Sequence, residues 1–244
     1  MRTQLMTITN EYMGNSTPRE AFSCLKVTIS QNDSIFAEVK EKTNQINRNL
    51  NPHSANGTIM RSDETVDADN LIGLLAEYAC LYVLRDIFGD NKVLKPESRS
   101  SRDQIDIRLA NNANIEVRSS CIRNGIKFAL FSLNRDGNQY IDVIGPYYNK
   151  IYKQCEEVKD YYMRVIYAEG INEVYSRIMS GEDVELYITG GATKQMLYQH
   201  GIVKYMLPSG DFKIKNGGTY LVIPMADSLD YQAFISRIGD DLDS

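Results

Sequence analysis

The chain has 244 residues, 43% of them hydrophobic, and a formal net charge of −5. That length carries one well-buried domain of mixed α and β structure, with or without a small lobe, and the composition is ordinary for a globular protein. The acidic balance excludes a uniformly basic coat but not a local one: between Lys92 and Lys127, eight Lys or Arg stand against four acids.

Cys24, Cys80, Cys121 and Cys155 form no CxxC pair, and the other soft ligands are His53 and His200, so no zinc constellation can be written. The opening Met1-Arg2-Thr3-Gln4 has no apolar signal-peptide core, and no apolar run is long enough to span a bilayer. These features predict a cytoplasmic protein with no membrane partner.

Residues 1–60 are expected to be peripheral. Strands are predicted at Met6–Thr9 and Leu25–Ile29, with a short helix opening at Thr17-Pro18 between them. A surface helix follows from Ile35 to Leu50, its apolar residues sparse, and then a polar loop over 51–63.

The core is expected in residues 61–145. Asp67 or Asp69 caps a helix that Gly89 ends, and between Leu71 and Leu84 that helix is apolar nearly all round, with Glu77 its one charge. Residues 90–104 read as a basic loop. Gln104–Leu109 and Ile115–Arg118 alternate with period two around Asn111-Asn112-Ala113, which predicts a hairpin. Further strands are predicted at Lys127–Phe131 and Tyr140–Ile144, the latter stopped by Gly145-Pro146.

The last part, 146–244, is expected to complete the core. Residues 147–179 read as Tyr-rich helices, Val184–Ile188 as a strand, Thr193–Gln199 as a helix, Thr219–Ile223 as a strand and Asp230–Ile238 as a final helix. The predicted class is therefore α/β in the α+β sense, a mixed central sheet flanked by helices.

The hairpin carries the chemistry. A turn centred on Asn112 puts Asp106 opposite Arg118 and Arg108 opposite Glu116, with all four on one face and Ile105, Ile107, Leu109, Ile115 and Val117 on the other. Asp106 and Glu116 are then diagonal neighbours, roughly 7–8 Å apart, and their carboxylates can converge on one ion. Two carboxylates beside a cation suit phosphodiester cleavage: the acids hold Mg²⁺, the metal activates water, and the cation steadies the phosphorane charge. The bland reading is a solvated face of cross-strand ion pairs, with Glu77 snorkelling or paired; Asp103 is an alternative to Asp106.

Asp106, then Glu116-Val117-Arg118 after nine intervening residues, resembles the D-x(n)-(D/E)-x-K signature of the PD-(D/E)XK nucleases. The buried helix with Glu77 in Gly73-Leu74-Leu75-Ala76-Glu77 is similar to that superfamily's first core helix, whose glutamate often completes the metal site. The match covers about Asp67 to Phe131. It implies a restriction-endonuclease-like fold and a Mg²⁺-dependent endonuclease (Mn²⁺ substituting) acting on duplex DNA. Glu77, Asp106 and Glu116 are the implied metal ligands, and a homodimer follows by analogy. The motif lysine is replaced by Arg118, which keeps the charge but cannot give up a proton. Lys127 is the candidate for a lysine that has moved. Arg99, Arg102, Arg123 and Lys194 are candidate DNA contacts. The alternative is a nuclease-fold protein that has lost catalysis and binds DNA or protein. A weaker option uses Gly190-Gly191 as a nucleotide-binding turn.

Overall fold

The computed structural model describes residues 1–11, 14–47, 63–96, 105–147, 158–206 and 218–243. In chain order these form β1 (Arg2–Thr9), β2 (Ala21–Ile29), α1 (Ser34–Asn47), α2 (Asp63–Phe88), β3 (Val93–Leu94), β4 (Ile107–Leu109) and β5 (Asn114–Cys121). Then come α3 (Gly125–Phe131), β6 (Asp142–Tyr147), β7 (Tyr161–Tyr167), α4 (Ile171–Ser180), β8 (Val184–Thr193), α5 (Lys194–His200), β9 (Ile202–Met206), β10 (Gly218–Pro224) and α6 (Tyr231–Leu242).

The class is mixed α and β. Seven strands form a central sheet in the order β1-β2-β8-β7-β5-β4-β3, and β6-β10-β9 form a second sheet. In the large sheet β5 and β7 run parallel, and the other neighbours are antiparallel. One face packs on α1, α2, α4 and α6 through an apolar core that includes Val27, Leu75, Leu84, Ile107, Met163, Val165 and Phe234. The other face meets α3, α5 and the small sheet through Phe22, Leu130, Phe131, Val143, Tyr162, Leu197 and Ile223.

Several expectations need correction. The N-terminal part is not peripheral: β2 lies inside the sheet, and Phe22, Cys24, Val27 and Ile29 are fully buried. No helix forms at Thr17, where the backbone instead bridges to α3 through Thr17 N–H donating to Phe131 O. Helix α2 begins at Asp63, ahead of both predicted caps, and does end at Gly89, which takes φ +94. Residues 127–131 belong to α3 rather than to a strand; a short apolar run does not declare its period. Tyr161–Tyr167 is a strand, not a helix. All seven residues are buried because both faces of β7 are covered, which erases the alternation that marks a half-exposed strand. Strand β6 runs on through Gly145-Pro146.

Candidate functional site

The β4–β5 hairpin closes with Asn112 in the left-handed region (φ +68), its N–H donating to Leu109 O at 2.9 Å. The turn is tighter than the sequence suggested. Ile107 pairs with Ile115 and Arg108 with Asn114, so the register differs from the expected one by two residues. A slip of two keeps every side chain on its predicted face. Ile107, Leu109 and Ile115 are indeed buried under α2. Arg108 consequently bonds Asn114 Oδ1 at 3.2 Å rather than facing Glu116.

The ladder ends at Ile107, and Asp106 sits in a bend where the two strands part. Its Oδ2 accepts from Val117 N–H at 2.8 Å, which lays the carboxylate along the backbone that carries Glu116. Glu77, Asp106 and Glu116 are all buried, at 6%, 7% and 8% exposure. Acids are rarely buried without partners, and these have them. Glu77 is ion-paired with Lys95, whose Nζ also donates to Asp106 O at 3.1 Å. Glu116 is paired with Arg118 at 2.8 Å. Desolvation pushes the Asp106 carboxyl above its usual range, opposed by the Val117 N–H and by the charges of Lys95, Arg118 and Lys159. Desolvation also draws the Lys95 ammonium down to about 8, against the pull of Asp106. The result is a chain of alternating charge, Glu77–Lys95–Asp106–Arg118–Glu116, linking α2 to β5 at the mouth of the hairpin.

Lys95 was not foreseen. It leaves the two-residue strand β3 and extends past the Tyr78 ring, its Nζ 5.3 Å from the centroid. Nothing in the local sequence of Lys95 marks it; the fold alone brings it to the acids. Arg164 was also missed, although a single charge inside Tyr-Tyr-Met-Arg-Val-Ile-Tyr was a signal. It pairs in register with Arg118 on the next strand and is 2% exposed. Its Nη1 donates to Arg118 O at 3.1 Å and its Nη2 to Ser120 Oγ at 2.9 Å. Burial lowers its pKa to about 10, and buried Asp142 opposes this. Asp142 is itself paired with Lys204 at 2.6 Å.

The other predicted residues scatter. Lys127 is on α3 and ion-paired with Glu11 at 2.6 Å, so it is not brought to the acids. Arg123 follows the far end of β5 and lies against Gly170. Lys194 is at the same end of the sheet as the hairpin turn, lining a groove of about 550 Å³ with Asn111, Asp160 and Arg237. Arg99, Arg102 and Asp103 lie outside the described residues. Gly190-Gly191 is not an open anion loop. It is a bulged stretch of β8 closed by Leu229: Gly191 N–H donates to Leu229 O, and Leu229 N–H to Gly191 O, both at 2.9 Å. A Cβ on Gly191 would stand 2.0 Å from Tyr162 O, so these glycines serve close backbone approach.

No family model matches the chain. It is similar to the uncharacterized protein MJECS01 of Methanocaldococcus jannaschii, 24% identical over 272 aligned residues that take in 96% of this chain and 93% of that protein. No solved structure matches. Among the described residues, no helix is long and apolar enough to cross a membrane.

Proposed function

We propose that this chain is a metal-dependent endonuclease acting on duplex DNA, with its site where β4 and β5 part. The observation that supports this reading is the burial of three acids beside two half-buried bases, Lys95 and Arg118, where the two strands part. That arrangement costs stability, and catalysis gives it a use. Asp106 and Glu116 fit a Mg²⁺ ion, which keeps several waters and is commonly held by one or two carboxylates plus substrate phosphate. Among the described residues no set of three His, Cys, Asp or Glu is arranged around a common point for a metal. The fit therefore rests on the pair.

A divalent ion held by Asp106 and Glu116 would supply Lewis-acid polarisation of the phosphate and activation of a water. The chain's own residues do the rest. Val117 N–H orients Asp106. Arg118, held against Glu116, places a permanent charge for the phosphate oxygens. Because a guanidinium does not release its proton, Arg118 acts by charge alone. Lys194 and Arg237, in the groove at the turn end of the hairpin, suit contacts to flanking phosphates. Cutting both strands suits a homodimer, and the free thiols of Cys24, Cys80 and Cys121 suit a reducing cytoplasm.

Plasmid nicking with Mg²⁺ or Mn²⁺ tests the reading. It should appear in the wild-type protein and fall by at least a hundredfold in Asp106→Ala and Glu116→Ala. Nicking that persists in both variants refutes it. A second reading, a nuclease-fold protein without catalysis that binds DNA or protein, is favoured by the pairing of both Glu77 and Glu116 with bases. It predicts salt-sensitive DNA binding or protein binding with no nicking by the wild-type protein.

A further inference from the structure

We infer that Glu77 is not a metal ligand but the anchor of Lys95, and that Lys95 is the phosphate-contacting cation of the site. The inference rests on the proposed nuclease reading and reassigns one of its acids. Two observations carry it. The Glu77 carboxylate is engaged by the Lys95 ammonium. The same ammonium donates to the backbone carbonyl of Asp106, at 3.1 Å, so it is tied to the residue that begins the break in the sheet.

The geometry gives Lys95 two fixed points, one on α2 and one at the end of β4. Its Nζ also lies 5.3 Å from the centroid of the Tyr78 ring. A long, flexible side chain held at two points loses little further freedom when it meets a phosphate. Its side chain keeps 24% exposure, enough to be reached, whereas Glu77 at 8% is closed in behind it. A glutamate so placed is a positioning residue: it fixes the ammonium and touches neither metal nor DNA.

The test separates metal from phosphate. Mn²⁺ is titrated into wild type, Glu77→Gln, Lys95→Met and Lys95→Arg by calorimetry, and a duplex oligonucleotide is titrated without metal across a salt series. For Glu77→Gln we expect Mn²⁺ affinity within twofold of wild type. In the salt series, Lys95→Met should bind DNA more weakly, the slope of log K against log salt shallower by about one unit, whereas Glu77→Gln, which keeps the cation, should keep the slope. Lys95→Arg should restore the slope and serves as the folded control, with circular dichroism on every variant. A tenfold or greater loss of Mn²⁺ affinity in Glu77→Gln overturns the inference and leaves the nuclease reading standing. So does an unchanged salt slope in Lys95→Met. A wild-type protein that binds neither Mn²⁺ nor DNA sinks both.

Discussion

The two faces of the central sheet are buried in different ways. Under α2 the sheet meets apolar side chains almost without exception, Leu75, Leu84, Ile107, Met163 and Val165 among them. On the opposite face, β5 and β7 present Glu116, Arg118 and Arg164, and Asp142 and Lys204 come to meet them from the small sheet. The first face stabilises the fold by removing apolar area from water. The second spends part of that stability on desolvated charge, and the candidate site lies at its margin.

The largest effect should come from Arg164→Ala. It removes the guanidinium that braces Arg118 O and Ser120 Oγ and that opposes Asp142. Truncating one member of a buried charge pair costs about 3–5 kcal/mol. We expect a fall in Tm on the order of 10 °C, read by calorimetry. Leu75→Ala on the other face is the matched control and should cost about 2–5 kcal/mol by leaving a cavity. The two should differ in kind: adding Asp142→Asn should offset part of the Arg164→Ala loss, because it removes the buried charge left behind, and leave the Leu75→Ala loss unchanged. If Asp142→Asn acts alike on both, the contrast between the faces fails.

A smaller effect of opposite sign should come from Asp106→Asn. The folded Asp106 carboxyl is raised above its unfolded value, so the folded state holds the proton more tightly than the unfolded one. Wild type therefore loses stability, relative to Asn, as pH rises from the unfolded carboxyl range through the folded value; below that range the two converge. In chelator at neutral pH the variant should be more stable, on the order of 1 kcal/mol, the usual yield of one stabilising change. Thermal melts between acid and neutral pH check this. A variant less stable than wild type at neutral pH would mean that the charge of Asp106 is a net benefit.

The same contrast explains what was legible in the sequence. The α2-facing side of the hairpin showed as period-two alternation, and its faces survived a two-residue register error, because parity is all that alternation encodes. Helix α2 was readable from its apolar run, and α5 and α6 were placed close to their observed ranges; in the structure the side chains of Thr193 and Asp230 cap the last two. Strand β7 was not readable: with both faces covered it has no alternation, and Arg164 was hidden within it. Lys127–Phe131 has too few residues to tell a helical period from a strand. Glu77 and Glu116 were visible because they sit on regular elements, and Asp106 because it adjoins the alternating strand β4. Their basic partner Lys95 was not, because an ion pair between a helix and the residue after an edge strand leaves no local pattern.

We propose that Asp106 and Glu116 together hold a divalent cation at the mouth of the hairpin. Calorimetric titration of Mn²⁺ into wild type, Asp106→Asn and Glu116→Gln, each shown to be folded, tests it most directly. The account predicts one saturable site in wild type, weakened at least tenfold in each variant. No binding in wild type, or binding unchanged in either variant, would contradict it.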